Sequence, residues 1–339
     1  MLQRSTPPSP ALFFETVNSY QRSAVLKAAV DLGCFTAIGE GHETVAALAQ
    51  SCGASEHGMR VLCDYLVIIG LLEKDGQRYR LTSDSEAFLD RRSPAYLGGI
   101  LEFMLDPAHV DSFRDLAAAV RKGGTVLPQD GVVAPEHPLW VRFARAMAPL
   151  MVLPAQLLAD LAGQLGSSPK KVLDIAAGHG LFGITLAQQN PAAQVVALDW
   201  PNVLEVAREN AQKAGVAGRY STIAGSAFDA DYGNNYDIVL LTNFLHHFDP
   251  PACEALLKKI HAALAPNGKV LTLEFVPNDD RVTPPLVASF SMMMLGTTPH
   301  GDAHTFAELD AMFRNAGFPR SELRPLPPTL QQAVISWKQ

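Results

Sequence analysis

Residues 172–180 read Val-Leu-Asp-Ile-Ala-Ala-Gly-His-Gly, and Asp199 closes a second apolar run about twenty residues later. No other segment constrains the fold as much. An apolar strand ends in an acid and runs into a glycine turn. A helix pattern follows from Leu181 to Gln189, then a strand from Gln194 to Leu198 capped by Asp199. The pattern predicts one β-α-β unit built to hold a nucleoside. Its glycines let the backbone approach a ligand, and its second acid suits a ribose diol.

The glycines alone leave the nucleoside open, because Gly178-His179-Gly180-Leu181-Phe182-Gly183 also satisfies the dinucleotide spacing G-x-G-x-x-G. Asp174 discriminates. A pyrophosphate at this strand end wants helix N–H groups and no nearby anion. S-adenosylmethionine (SAM) carries no phosphate, and its cationic sulfonium and ammonium tolerate an acid. Strand-Asp-x-x-x-Gly-x-Gly resembles the first motif of class I methyltransferases, with Ala176 where the first glycine usually stands.

The chain has 339 residues, enough for two domains. Its net charge of −7 argues against a polyanion partner, so no nucleic acid is expected. Cys34, Cys52, Cys63 and Cys253 are scattered, form no CxxC and read as reduced thiols of a cytoplasmic protein. No metal site is expected. No basic-then-apolar leader and no run of membrane-spanning length stand out, so no membrane partner is expected.

Four regions emerge: a flexible arm over 1–10, a winged-helix domain over 11–95, a helical connector over 96–168 and a nucleotide-binding domain over 169–339. Leu12 to Ala37 reads as helix. Thr44 caps a short helix to Gln50, and Ser55 caps another to about Ile69, which Gly70 ends. Leu71 to Leu81 forms a hairpin on Asp75-Gly76. Helix, turn, helix, hairpin invites a DNA-binding reading, but residues 1–110 carry thirteen acidic against nine basic residues, and the second helix offers Glu56, His57, Arg60 and Asp64. A packing module is favoured. The connector holds a long loop from Pro128 to Pro138, and Leu139 to Leu165 forms one or two helices around Pro149 and Pro154.

From Lys171 on, strands (172–175, 195–198, 220–224, 236–241, 269–275, 320–325 and about 331–337) alternate with helices starting near Leu181, Val203, Pro251 and Thr305. The fold class is α/β, a Rossmann-like parallel, doubly wound sheet. The ligand should lie past the strand ends that carry Asp174, Asp199, Ser226 and Asn243.

With the winged-helix domain added, the chain from about residue 12 resembles small-molecule O-methyltransferases typified by plant caffeate and animal hydroxyindole enzymes. Asp199-Trp200-Pro201-Asn202-Val203, Gly225-Ser226-Ala227-Phe228, Asn243 to Phe248 and Asn267 to Glu274 carry the resemblance. It implies a homodimer joined through the N-terminal domain, with SAM as cofactor and S-adenosylhomocysteine (SAH) as product. It implies a cofactor site of Asp174, Gly178, Gly180, Asp199, Trp200, Ser226, Ala227, Phe228 and Asn243. By position Asp199 would hold the ribose, and Ala227 and Phe228 the adenine. It makes His246 the general base and Glu274 its orienting acid. Phe143, Met147, Phe290, Met293 and Met294 would line the acceptor pocket, with Leu101, Phe103 and Met104 closing it. The chain departs from the family at Ser226, where an aspartate is usual and Asp229 or Asp231 might substitute. It departs at Thr242, where lysine is common, and at Ala303, where a second orienting glutamate is expected and Asp302 is a neighbour.

A phenol of pKa ~10 needs help to become phenolate at neutral pH, and a histidine of pKa ~6.5 suits that proton. His247 is the rival base; on an extended segment adjacent histidines would point opposite ways. Asp249-Pro250-Pro251 lacks the aromatic that stacks a flipped base and reads as a helix start. The resulting reading is a SAM-dependent methyltransferase acting on a hydroxyl of a small aromatic or polyketide-like molecule. Alternatives are carbon or nitrogen transfer, or a non-methylating relative, on the same fold; a winged-helix ligand-sensing regulator; and an NAD-dependent oxidoreductase, which Asp174 opposes.

Overall fold

The computed structural model describes residues 8–128, 130–166 and 168–339, so residues 1–7 of the expected arm, Gln129 of the long loop and Ser167 of the linker lie outside the described residues. The chain divides into two compact units, Met1–Leu101 and Glu102–Gln339.

In the first unit the stretch expected as one helix is three: α1 (Ala11–Val17), α2 (Ser19–Asp31) and α3 (Cys34–Gly39). Asn18 leaves helical geometry after α1, and Gly33 takes the left-handed conformation (φ 70°) that stops α2 and turns the chain into α3. Helices α4 (Val45–Ser51) and α5 (Glu56–Ile68) start where Thr44 and Ser55 accept the N–H of Ala47 and Gly58 (3.4 and 3.1 Å). Strands β1 (Leu72–Asp75) and β2 (Arg78–Leu81) pair antiparallel, and α6 (Ser83–Phe88) follows. The apolar faces of α2 to α5 enclose Phe35, Leu48, Met59, Leu66 and Tyr79, each about 1% exposed or less. The Tyr79 hydroxyl escapes burial without a partner by donating to Asp64 (2.7 Å).

The unit boundary falls inside α7 (Leu101–Met104). Four helices follow: α8 (Pro107–Ser112), α9 (Leu116–Lys122), α10 (Leu139–Ala146) and α11 (Ala148–Gln164). The region 139–165 is therefore two helices, bent by 68° at Met147, with Pro149 in the first turn of α11.

The seven-stranded sheet comprises β3 (Lys171–Ile175), β4 (Gln194–Asp199), β5 (Tyr220–Ala224), β6 (Tyr236–Thr242), β7 (Leu264–Glu274), β8 (Arg320–Pro325) and β9 (Gln332–Trp337), in the order β5-β4-β3-β6-β7-β9-β8. Its crossovers are α12 (Leu181–Gln189), α13 (Pro201–Lys213), α14 (Pro250–Ala263), the pair α15 (Pro285–Ala288) and α16 (Phe290–Thr297), and α17 (Phe306–Asn315). Helices cover both faces, so β3 and β6 are buried along nearly their whole length rather than alternating.

Two strand expectations need correction. The last strand is not parallel. With no crossover helix after β8, the chain turns back and inserts β9 antiparallel between β7 and β8. Strand β7 begins at Leu264 instead of Lys269: Leu264 pairs with Tyr236, and a register shift follows before Lys269 pairs with Ile238. Asp249 caps α14 as expected, accepting the Ala252 N–H (3.0 Å). Strand order reverses at β3, between β4 and β6, and the carboxyl ends of these strands hold the expected site.

Candidate active site

The glycine turn is built by backbone conformations that side chains resist. Gly178 and Gly180 have φ of 56° and 76°, and Ala176 takes φ 53° despite its Cβ. Asp199 holds the turn from β4: its Oδ2 accepts the Gly178 N–H (2.8 Å) and its Oδ1 accepts the Trp200 N–H (2.7 Å). Burial pushes its carboxyl up to about 6, against those two hydrogen bonds.

Asp174 lies beneath the turn, fully buried, and its Oδ2 accepts the Gly183 N–H (3.1 Å) at the start of α12. Burial drives this carboxyl well above the usual range, toward the neutral acid, and so weakens the argument that it offers a standing negative charge to a sulfonium. His179 is buried inside the turn with its pKa lowered to about 4 by desolvation. It is a neutral ring whose Nδ1 accepts the Leu181 N–H (3.1 Å). The Phe143 ring covers the turn. Its nearest carbon is 3.5 Å from where a Cβ on Gly178 would sit, and the ring stacks on His179 at 6.1 Å and 19°.

After β5, Ser226 Oγ accepts the Phe228 N–H (3.1 Å), Ala227 is buried, and Phe228 packs edge-on to Phe248. Asp231 accepts from Gly233 N–H (2.9 Å), which occupies one of the two acids considered as substitutes for Ser226. At the end of β6, Asn243 adopts φ 53° and donates its N–H to the Leu273 carbonyl (2.7 Å). Its side-chain oxygen accepts from Gln331 Nε2 (2.7 Å), a buried residue of the β8–β9 connection that the sequence reading missed.

The histidine pair sits on a 3-10 turn, Leu245–His247. The expectation that the two rings point apart is therefore wrong. A helical turn rotates successive side chains by about 120° rather than 180°, and the rings meet at 4.2 Å between centroids. Glu274 organises this turn from β7. Its Oε1 accepts both the Phe244 and Leu245 N–H groups (2.9 and 2.8 Å), and its Oε2 bonds His246 Nδ1 at 2.5 Å. With the carboxylate ionised, Nδ1 carries the proton and Nε2 keeps its lone pair.

Phe290, the first residue of α16, places its ring edge-on to His246 (4.9 Å) and stacks on Phe275 (4.3 Å). Trp140 packs against His247 (5.2 Å) and Phe143 (5.8 Å). Trp140, His179 and Phe275 were not anticipated from sequence. The structure thus brings Phe143 to the glycine turn and Phe290 to the histidine. Met293 and Met294 lie one helical turn from Phe290, half-buried and buried, and Met147 is buried at the α10–α11 bend. Phe103 joins Phe143 at 5.1 Å, Leu101 packs on the N-terminal core, and Met104 is 40% exposed.

Asp302 does not take over from the missing glutamate. It pairs with Arg281 (3.1 Å), and Ala303 is fully buried. Gly301 passes so close to the histidine turn that a Cβ there would lie 2.4 Å from the His246 carbonyl oxygen. Among the described residues no group of three or more His, Cys, Asp or Glu could hold a metal ion.

The O-methyltransferase domain model matches residues 142–319, and the O-methyltransferase dimerisation domain model matches residues 14–91. The chain belongs to the O-methyltransferase family. The 3-hydroxy-5-methyl-1-naphthoate 3-O-methyltransferase of Streptomyces sahachiroi is 29% identical over 92% of this chain and 91% of its own. A Nostoc punctiforme PCC 73102 protein described as an O-methyltransferase superposes with TM-score 0.96 at 59% identity, covering 98% of this chain and 100% of that one. Human N-acetylserotonin methyltransferase, solved in complex with SAM, superposes with TM-score 0.83 at 25% identity over 99% of both chains. The protein is a SAM-dependent O-methyltransferase. The regulator and oxidoreductase readings are set aside, because the winged-helix unit matches a dimerisation domain and the sheet matches a methyltransferase domain. The residues present fit SAM: Gly178 carries no side chain, the half-buried acid Asp199 ends β4, and the Phe143 ring covers the turn.

Proposed function

We propose that this methyltransferase transfers a methyl group to a hydroxyl of a small aromatic or polyketide-like molecule, with His246 as general base. The observation that carries the reading is the 2.5 Å bond from Glu274 to His246 Nδ1, inside a cluster of aromatic rings. SAM supplies a methyl carbon already activated by its sulfonium. The protein's own work is alignment, exclusion of water and removal of one proton. His246 Nε2 takes the acceptor's hydroxyl proton, and Glu274 stabilises the resulting imidazolium. Phe290 and Trp140 hold a flat acceptor beside that nitrogen. The naphthoate and N-acetylserotonin methyltransferases among its relatives act on aromatic molecules by name, which supports this class.

The test is incubation with SAM and a panel of naphthols, hydroxynaphthoates and catechols. Methyl ethers identified by mass and NMR support the reading. Products methylated at carbon or nitrogen would favour the second reading, which Ala303 and the single-carboxylate support of His246 keep in view.

In the cofactor cradle Asp199 would accept the ribose hydroxyls, Ala227 and Phe228 would flank the adenine, and Asp174, Gly178, Gly180, Trp200, Ser226 and Asn243 would complete the wall. Ionised Asp199 is the better acceptor, and its carboxyl titrates near 6 in the free chain. SAH affinity should therefore rise as pH increases through about 6 and level off above 7, and Asp199→Asn should flatten that rise. Calorimetry between pH 5 and 8 checks both; an unchanged slope in the variant refutes the assignment.

The dimerisation-domain match and the exposed apolar residues of α1 and its neighbour (Leu12 74%, Phe13 64%, Phe14 57%, Tyr20 68% exposed) support a homodimer. Sedimentation at twice the 36.5 kDa chain mass tests the dimer. No single helix among the described residues is long and apolar enough to cross a membrane.

A further inference from the structure

The loop that follows β5 is held by a cation from a distant helix. Lys259 of α14 is half-buried, while its neighbour Lys258 is exposed. Its Nζ donates to the Phe228 carbonyl (2.8 Å) and to the Ala227 carbonyl (3.4 Å), and it lies 4.3 Å from the centre of the Tyr232 ring. The Tyr232 hydroxyl donates to the same Ala227 carbonyl, and the Tyr236 hydroxyl donates to the Tyr232 carbonyl (2.6 Å). Among the described residues no backbone N–H reaches the Ala227 or the Phe228 carbonyl. Side chains of α14 and of the loop itself therefore supply the donors that a ladder supplies to a strand.

An ammonium in this place has a cost. Burial disfavours its charged form and pulls its pKa below the ordinary lysine value, and Asp229 and Asp231 of the same loop offset part of that. An apolar side chain would fill the position without the cost, but it would leave both carbonyls without the lysine donor. A charged donor also makes the stronger hydrogen bond, so it fixes the two carbonyls more firmly than a neutral group could. The rest of the loop is held by local contacts. Ser226 Oγ and Asp231 Oδ1 accept the Phe228 and Gly233 amides, and the Phe228 ring packs edge-on to Phe248 at 5.0 Å. Lys259 is the contact that ties the backbone of Ala227 and Phe228 to α14.

We propose that Lys259 is a positioning residue for the cofactor: by holding the Ala227 and Phe228 carbonyls it sets where these two residues stand against the adenine. It acts through the loop backbone, with Tyr232 as the second donor to Ala227. Its removal should therefore be felt in cofactor affinity and not in proton removal, which belongs to His246 and Glu274. The proposal rests on the reading that Ala227 and Phe228 flank the adenine.

The experiment compares the wild-type chain with Lys259→Met and Tyr232→Phe, and uses Phe228→Ala as the control on adenine placement. Calorimetry gives SAH affinity. Steady-state assay with a phenol that the acceptor panel shows to be methylated gives KM for SAM and kcat. Hydrogen exchange reports the Phe228, Ala230 and Gly178 amides in the free protein. Lys259→Met keeps the apolar stem and removes the donor. It should weaken SAH binding and raise KM for SAM about tenfold, the loss of hydrogen bonds from a charged group, with kcat lowered less than about twofold. Tyr232→Phe removes one neutral donor and should weaken SAH about threefold. Exchange at Phe228 and Ala230 should quicken in both variants, with Gly178 as in wild type. Wild-type SAH affinity in Lys259→Met, with binding weakened in Phe228→Ala, overturns the proposal and leaves the adenine placement standing. Wild-type affinity in both overturns the placement as well. Faster exchange that extends to Gly178 makes Lys259 a general stability residue and also overturns the proposal. If Lys259→Met does not fold, Lys259→Gln and Tyr232→Phe decide by the same affinities and exchange rates.

Discussion

Replacing His246 by alanine is expected to lower kcat by about 10²–10⁴-fold while SAH affinity stays unchanged. The imidazole is the base in the proposed reaction, and it touches Glu274, His247 and Phe290 rather than the glycine turn. Alanine also opens space beside Phe290, so His246→Gln, which keeps most of the volume, belongs in the same experiment. Both variants should bind SAH by calorimetry and fail to convert a phenol acceptor. Persistent transfer to a phenol would make His246 a packing residue and direct attention to His247. The latter is held well below its usual pKa by burial and by its neighbour.

The second large effect is at Glu274. Its carboxylate receives three donors, the Phe244 and Leu245 amides and His246 Nδ1, all inside the protein. Glu274→Ala leaves all three without an acceptor and should cost about 3–5 kcal/mol of stability, enough to lower the melting temperature by several degrees as well as to abolish transfer. Glu274→Gln separates the two roles. Its carbonyl can still accept the backbone amides, but its NH₂ would face Nδ1 and invert the tautomer, placing the proton on Nε2. That variant should melt near wild type and lose about 10²–10⁴-fold in kcat. A fully active Glu274→Gln would show that the tautomer of His246 does not matter.

Much of this was legible in the chain. Asp174, the turn glycines and Asp199 lie in one short segment, so local pattern alone places them together. The caps at Thr44, Ser55 and Asp249 are likewise local. Other features depended on distant pairing. Trp140 and Gln331 join the site from helices and loops far away in sequence, and no periodicity announces a residue that matters for where its neighbour's neighbour lies. The histidine pair departs from the sequence expectation for a local reason: Leu245–His247 is a 3-10 turn rather than extended backbone. The strand direction at 332–337 is not legible in the sequence, because alternation of strands and helices says nothing about a final hairpin. The charge of Asp174 is not legible from its residue type, because burial pushes its carboxyl well above the usual range.

Trp140 and Phe143 stand three residues apart on α10, a helix of eight residues bent 68° away from α11. One ring leans on His247 in the histidine turn, the other on His179 in the glycine turn. The helix therefore works as a gauge block, its length spacing the histidine turn from the glycine turn. The Trp140 indole N–H is tied to the Val132 carbonyl (2.9 Å), in the loop before the helix. A change in that loop therefore reaches both turns through one helix, without altering a residue of the sheet.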